Sequence, residues 1–143
     1  MEASSLIIER GMSYPISGKV LERYMRTEKT TRENAREHER EVRRYMILRA
    51  LYPSARFPLA NGPVDELWHT FLLFTKEYSA FCSVVADGFI HHNPGPASPT
   101  PEQIKEAKKD FADFVEKYNA VFHEAPPSEL WPAIGEPGVV WSC

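Results

Sequence analysis

The sequence predicts an all-α protein, a compact single-domain bundle of about four helices with an irregular C-terminal tail wrapped on it. Three observations indicate this class: apolar residues recur at helical spacing in long segments, capping sequences precede two of these segments, and proline and glycine separate them. A chain of 143 residues with 43% hydrophobic residues is long enough to close one core. We therefore expect a single domain over residues 1–143.

The first two predicted helices follow an N-terminal segment, residues 1–16, that is expected to be a short strand or a stretch laid across the core. Ser17 is suited to cap the first helix, because apolar residues recur at helical spacing directly after it. Thr30 and Glu33 form the two ends of a capping-box pattern, which predicts the start of a second helix. The first half of this helix is charged on nearly every side, so only its second half is expected to be buried.

The third predicted helix is the central one and belongs to the core motif, residues 61–94. Pro63 suits the first helical turn, and Gly88 is expected to end the helix. At about 100° per residue, one stripe of this helix is apolar and is predicted to face the core. The stripe consists of Val64, Trp68, Phe71, Thr75, Tyr78, Cys82 and Val85.

A proline-rich loop, residues 93–101, separates the third helix from a fourth. Thr100 and Gln103, with a proline between them, make a second capping signature, and apolar residues then recur at helical spacing as far as His123. The remaining tail, residues 124–143, has too many prolines and glycines for regular structure. Its tryptophans would be costly to leave in water, so we expect the tail to wrap the bundle.

Composition limits the partners and the compartment. The formal net charge is -3, and the lysines and arginines concentrated between Arg23 and Arg49 are interleaved with glutamates, so we do not expect nucleic-acid binding. No apolar run approaches the roughly 18 residues that span a bilayer, and the N-terminus lacks the features of a secretory signal. With only Cys82 and Cys143, the chain has too few cysteines for a disulfide framework. We expect a soluble cytoplasmic protein that binds a small-molecule substrate or a protein partner and no membrane.

Asp65 and His69 are the first pair of candidate site residues. They are four residues apart on a predicted helix, so they share a face, and the carboxylate can orient the imidazole for metal binding or for proton transfer. The alternative is structural: an aspartate that interacts with the helix dipole and a histidine packed under a loop. Tyr78 is a third catalytic candidate. His38 and His123 are expected at the surface.

Cys82, His91 and His92 join His69 as candidate metal ligands. In a straight helix Cys82 lies about 140° around the axis from His69, so it ligates the same ion only if the helix end unwinds or His91 folds back over that face. Otherwise Cys82 is a small buried apolar residue. Two or three histidines with a carboxylate are typical of catalytic zinc and of non-haem Fe(II) sites. Zn or Fe(II) is therefore the expected cofactor, and a nucleotide cofactor is not expected because no glycine-rich phosphate loop is present.

Residues 64–94 resemble the core motif of the glycine-rich domain-containing-protein-like family, and in particular a shorter bacterial group. The shared pattern consists of Asp65, Trp68-His69-Thr70, Tyr78, Cys82, Gly88 and His91. The family often has a second histidine where this chain has Phe71, whereas a histidine pair such as His91-His92 is typical of the shorter group. The resemblance implies that one metal or acid-base site is formed by Asp65, His69, Cys82 and His91. His92 would offset the histidine that is missing at Phe71.

Two functions from different classes follow from these patterns. The leading hypothesis is a small metal-binding protein, with a metal-dependent enzyme of unknown substrate as its expected form, in which His69 and His91 ligate Zn or Fe and either His92 or Cys82 completes the set. Asp65 would orient His69 or ligate the ion. The alternative is a non-catalytic interaction or regulatory module, whose histidine, tryptophan and tyrosine residues form a hydrogen-bonded core and whose partner binds the second helix or the tail.

Overall fold

The computed structural model describes residues 2–143, and within them the chain is mostly helical. The elements, in chain order, are α1 (Glu2–Ser13), α2 (Gly18–Glu28), α3 (Arg32–Leu51), β1 (Leu59–Ala60), α4 (Pro63–Leu73), α5 (Thr75–Ala86), α6 (Pro101–Phe122) and β2 (Trp141–Ser142). The predicted helical class is confirmed. The predicted count of four helices is wrong, because the described residues form six.

The first additional helix is α1, in the segment expected to be a strand or an irregular stretch; Met1 lies outside the described residues. This helix packs against α3 and α5. A Cβ atom at Gly11 would lie 2.2 Å from Cγ1 of Ile47, so the backbone of α1 approaches α3 as closely as a glycine permits. Arg43 of α3 donates hydrogen bonds to the carbonyl oxygens of Gly11 and Tyr14 at 2.9 and 2.8 Å. These bonds satisfy acceptors at the C-terminal end of α1.

The second additional helix arises because the predicted third helix is interrupted at Phe74. Phe74 has φ −92° and ψ 68°, which is not helical, and it separates α4 from α5. The predicted core stripe is nevertheless largely confirmed, since most of its members are buried on both sides of the interruption. The buried members are Val64, Trp68, Phe71, Tyr78, Cys82 and Val85.

Contacts divide the chain into two units. The first comprises Met1–Pro53 and Pro63–Ile90 and contains α1 to α5. The second comprises Ser54–Gly62 and His91–Cys143 and contains β1, α6 and β2. The single domain expected from chain length stays a prediction.

The core of the first unit lies around α3, which packs against the other four helices of the unit. As predicted, burial is concentrated in the second half of α3, where Tyr45, Met46, Ile47 and Leu48 are all inaccessible to solvent. The Tyr45 ring lies 5.3 Å from the Trp68 ring of α4, a contact that joins the two helices through their largest side chains.

The second unit is built on α6, whose predicted capping box is confirmed at Thr100 and Gln103. The tail is irregular apart from β2, which pairs with β1 in the antiparallel register Leu59↔Ser142 and Ala60↔Trp141. Within this unit the tail packs on α6, where the Trp131 and Phe114 rings lie 4.7 Å apart. Among the described residues, none of the helices combines the length and the apolar character that crossing a bilayer requires.

Candidate functional site

Asp65 and His69 lie on one face of α4. Pro63 is the first residue of the helix, so Asp65 falls in its first turn, where the positive end of the helix dipole favours a carboxylate. Asp65 is only 2% exposed, whereas the side chain of His69 is 47% exposed. The pair therefore places an accessible imidazole beside a carboxylate that the fold holds out of water.

The separation of the two side chains is suited to a shared cation. His69 Nδ1 and Asp65 Oδ2 are 3.6 Å apart, which is longer than the roughly 2.7–3.2 Å of a direct N–H···O hydrogen bond. An ion bound to both atoms at the usual zinc distances of about 2.0–2.2 Å would subtend an angle of roughly 110–130°. The lower end of that range is close to the tetrahedral angle. If the two atoms came within hydrogen-bonding distance, the carboxylate of Asp65 would orient the ring of His69 for proton transfer.

Tyr78, the third catalytic candidate, is a buried residue of α5. Its hydroxyl accepts a hydrogen bond from Nε1 of Trp68 at 3.1 Å and donates one to the carbonyl oxygen of Ile90. Burial raises the pKa of Tyr78 far above its usual value, with a further contribution from the nearby Cys82. At neutral pH the phenol therefore keeps its proton, and its hydroxyl acts as a hydrogen-bonding group between side chain and backbone. A catalytic role for Tyr78 stays a prediction.

Cys82 lies on the core face of α5, as its place in the stripe predicts. It is buried, and its Sγ accepts a hydrogen bond from the backbone N–H of Ile90 at 3.5 Å. Burial raises the pKa of the Cys82 thiol, which disfavours the thiolate that metals bind. The thiol is thus engaged with the backbone in its protonated form.

His91 and His92 follow Ile90 directly and are the first residues of the second segment of the other unit. His91 is exposed and His92 is partly buried. The first unit therefore contains Asp65, His69, Tyr78 and Cys82, and the histidine pair belongs to the second. The proposed roles of both histidines as ligands stay predictions.

Sequence reasoning missed a hydrogen-bonded pair, the buried Tyr24 and the partly buried His38, close to the start of α4. The Tyr24 hydroxyl lies 2.8 Å from His38 Nδ1, and it donates to the carbonyl oxygen of Pro63 at 3.2 Å. Burial lowers the pKa of His38, although Glu37 acts in the opposite direction, and burial raises the pKa of Tyr24. His38, expected at the surface, is instead partly buried. No local signal indicates this pair, because its members lie on different helices.

Comparison with known proteins identifies the family. The family model described as UCP032817-like matches residues 7–121, which is most of the chain, and the chain therefore belongs to the UCP032817-like family. No curated protein and no solved structure gives a significant match. The expected membership of the glycine-rich domain-containing-protein-like family is wrong. That resemblance rested on residues 64–94, whereas the matching family model also spans α2, α3 and most of α6.

Proposed function

We propose that this member of the UCP032817-like family binds a divalent transition metal, Zn or Fe(II), with Asp65 and His69 as two of its ligands. One observation carries the proposal: a buried carboxylate lies 3.6 Å from the nitrogen of an accessible imidazole. Buried carboxylates are stable when a cation or hydrogen-bond donors compensate their charge. A metal ion at this pair would contact the carboxylate while remaining within reach of a ligand that approaches the exposed ring.

His91 and His92, the adjacent pair that follows Ile90, stay the further ligands that the sequence predicts. Imidazole and carboxylate together are the donor set of catalytic zinc sites and of Fe(II) oxygenases. Cys82 is left out of the set, because its thiol is buried and accepts a hydrogen bond from Ile90. A zinc ion held by such ligands acidifies a bound water, so metal-dependent hydrolysis is one chemistry the site would support.

The test is the metal content of untagged protein purified without chelators and measured by mass spectrometry of the elements. The variants are Asp65→Asn, His69→Ala, His91→Ala and His92→Ala, each checked for folding by circular dichroism. His123→Asn is the matched control, because it removes an exposed histidine at the C-terminal cap of α6, in the other unit. Asparagine also tolerates the left-handed backbone found at that position.

We expect near-stoichiometric Zn or Fe in the wild type and in the control, and its loss from folded Asp65→Asn and His69→Ala proteins. Retention of the metal in His91→Ala or in His92→Ala would remove that histidine from the ligand set. A wild type that stays empty after anaerobic reconstitution with Fe(II) and with Zn(II) would overturn the proposal.

The second candidate function is a non-catalytic interaction module. It is favoured by two large apolar side chains in the same motif, because Leu73 is 63% exposed and Phe89 is 50% exposed. Exposed apolar groups of this size are common at surfaces that bind other proteins, although single ones also occur by chance. An empty wild type whose His69→Ala variant is equally stable would leave this function as the better account of the chain.

A further inference from the structure

We propose that Tyr78 and Cys82 are positioning residues that together hold the backbone of Ile90, the residue directly before His91 and His92. Neither residue touches the metal in this proposal. The predicted effect on metal affinity rests on the proposed function, whereas the predicted order of the backbone does not.

Both backbone polar groups of Ile90 are bound by side chains of α5. Its N–H donates to Sγ of Cys82 at 3.5 Å, and its carbonyl oxygen accepts from the hydroxyl of Tyr78. All three residues are buried. Water therefore does not compete for these groups, and losing either partner would leave a buried polar group without its hydrogen bond.

The position of the two bonds explains why they orient the following histidine. The carbonyl oxygen of Ile90 lies in the same rigid peptide plane as the nitrogen and the Cα atom of His91. The N–H of Ile90 lies in the preceding plane, so the two side chains fix the planes on both sides of one residue. With both planes held, rotation about the backbone bonds of Ile90 is restricted, and the range of positions open to the Cα atom of His91 narrows with it.

The Tyr78 hydroxyl is itself fixed in direction. Trp68 Nε1 donates to it at 3.1 Å, so its single proton is directed to the Ile90 carbonyl. The Tyr78 ring also makes edge contacts with Phe71 and Phe89 at 5.0 and 5.2 Å between centroids. Two successive hydrogen bonds thus connect Trp68, through the Tyr78 hydroxyl, to the backbone of Ile90. Trp68 directly precedes His69 in the sequence, and Ile90 directly precedes His91. Each end of this hydrogen-bonded series is therefore the sequence neighbour of a proposed ligand.

This arrangement assigns the two motif residues a role distinct from ligation. Residues that orient the ligands of a metal without contacting it commonly contribute about 10–100-fold to affinity. We therefore expect Tyr78→Phe and Cys82→Ala each to weaken the binding of Co(II), used as a spectroscopic probe, by a factor in that range. Cys82→Ser retains an acceptor for the Ile90 N–H and should recover part of the affinity lost in Cys82→Ala.

The control is Val85→Ala, which truncates a buried side chain one turn beyond Cys82 without removing either hydrogen bond. It separates loss of positioning from loss of stability, because a truncation of this kind also destabilises the core. Three measurements are made on each protein. They are the dissociation constant for Co(II), the absorption of the Co(II) complex, and the backbone mobility of residues 90–92 by NMR relaxation without metal.

The expected result is weaker Co(II) binding and more mobile residues 90–92 in Tyr78→Phe and Cys82→Ala, with no such change in Val85→Ala. A thiolate-to-cobalt charge-transfer band that persists in Cys143→Ser and is lost in Cys82→Ala would show that Cys82 is a ligand and would overturn the positioning role. Unchanged mobility in both folded variants would overturn it as well. If the wild type binds no Co(II) and the two variants still become mobile at residues 90–92, the metal proposal fails while the positioning role of these side chains stands.

Discussion

The backbone of Gly11 lies directly against the side chain of Ile47, where a Cβ atom would be 2.2 Å from Cγ1 and 2.6 Å from Cδ1. This contact allows α1 to pack closely on α3. Side chains in a packed core adjust little, so an added methyl group at this point forces the two helices apart or Ile47 into another rotamer.

We predict that Gly11→Ala destabilises the protein by about 1–2 kcal/mol. Overpacking costs about 1–3 kcal/mol, and replacing a helical glycine by alanine returns up to about 1 kcal/mol. Chemical denaturation measures the free energy of unfolding. In an Ile47→Ala background, which removes both clashing atoms, Gly11→Ala should be neutral or stabilising. Gly18→Ala is the control, since a Cβ there has no other atom within 4 Å. Equal effects of Gly11→Ala in both backgrounds would contradict the clash.

Lysine should not be able to replace Arg43, whose side chain binds the C-terminal end of α1, without a loss of stability. Its Nη1 donates to two carbonyl oxygens, and its guanidinium also lies 3.5 Å from Glu39 and 5.9 Å from the Phe81 ring centroid. We predict that Arg43→Lys loses about 1–3 kcal/mol of stability, because an ammonium does not reproduce this planar set of contacts. Hydrogen exchange at the end of α1 should accelerate in the same variant. The exposed Arg36 on the same helix provides the control, and an equal loss in Arg36→Lys would refute the prediction.

His38 should make the stability of the protein depend on pH. Burial lowers the pKa of His38 below 6.5 in the folded protein. The unfolded chain therefore binds a proton at this histidine more tightly than the folded protein does. The free energy of unfolding should therefore fall as the pH drops below about 6.5, and the contribution is fully present above that value. Urea denaturation from pH 5 to 8 tests this, with pH values chosen to bracket that of ordinary histidine. In His38→Gln the decline should be shallower, and an identical pH profile would exclude His38 as its source.

The Cys82 thiol should be protected from reagents in the folded protein. It is buried, and burial raises its pKa, so both access and the reactive thiolate are suppressed. In a Cys143→Ser background we predict slow labelling by a disulfide reagent, at a rate set by opening of the fold. Addition of urea beyond the unfolding transition should make labelling immediate. Rapid stoichiometric labelling under native conditions would show that Cys82 is accessible.

The helical elements could be predicted where the signals are local. The capping box at Thr100 and Gln103 and the helix cap at Thr31 depend on residues three positions apart, and both segments form helices. The caps at Ser17 and Thr100 and the buried stripe of α4 and α5 were predicted in the same way. For the second helix, the predicted cap was Thr30, and the observed cap is the next residue, Thr31.

The same local reasoning failed where distant residues decide the structure. Helix α1 forms next to Arg43 and Ile47, which lie 32 and 36 positions beyond Gly11 in the chain. No proline or glycine lies near Phe74, so the sequence does not indicate that the helix is interrupted there. In the candidate site, spacing predicted that Asp65 and His69 share a face, but it gave no indication that Tyr78 and Cys82 would both bind the backbone of Ile90.

The sequence alone thus determines the properties that depend on residues within one or two helical turns of each other. These are the helical class, the caps, the buried stripe and the adjacency of Asp65 and His69. Periodicity and capping chemistry act between neighbours in the chain, so they are visible in the order of the residues. The close approach at Gly11 and the Tyr24–His38 pair depend on residues from separate helices, and the hold on Ile90 joins two side chains of α5 to backbone beyond the end of that helix. All three require the packing of the folded core, which brings helices into contact and makes the loss of a buried hydrogen bond costly.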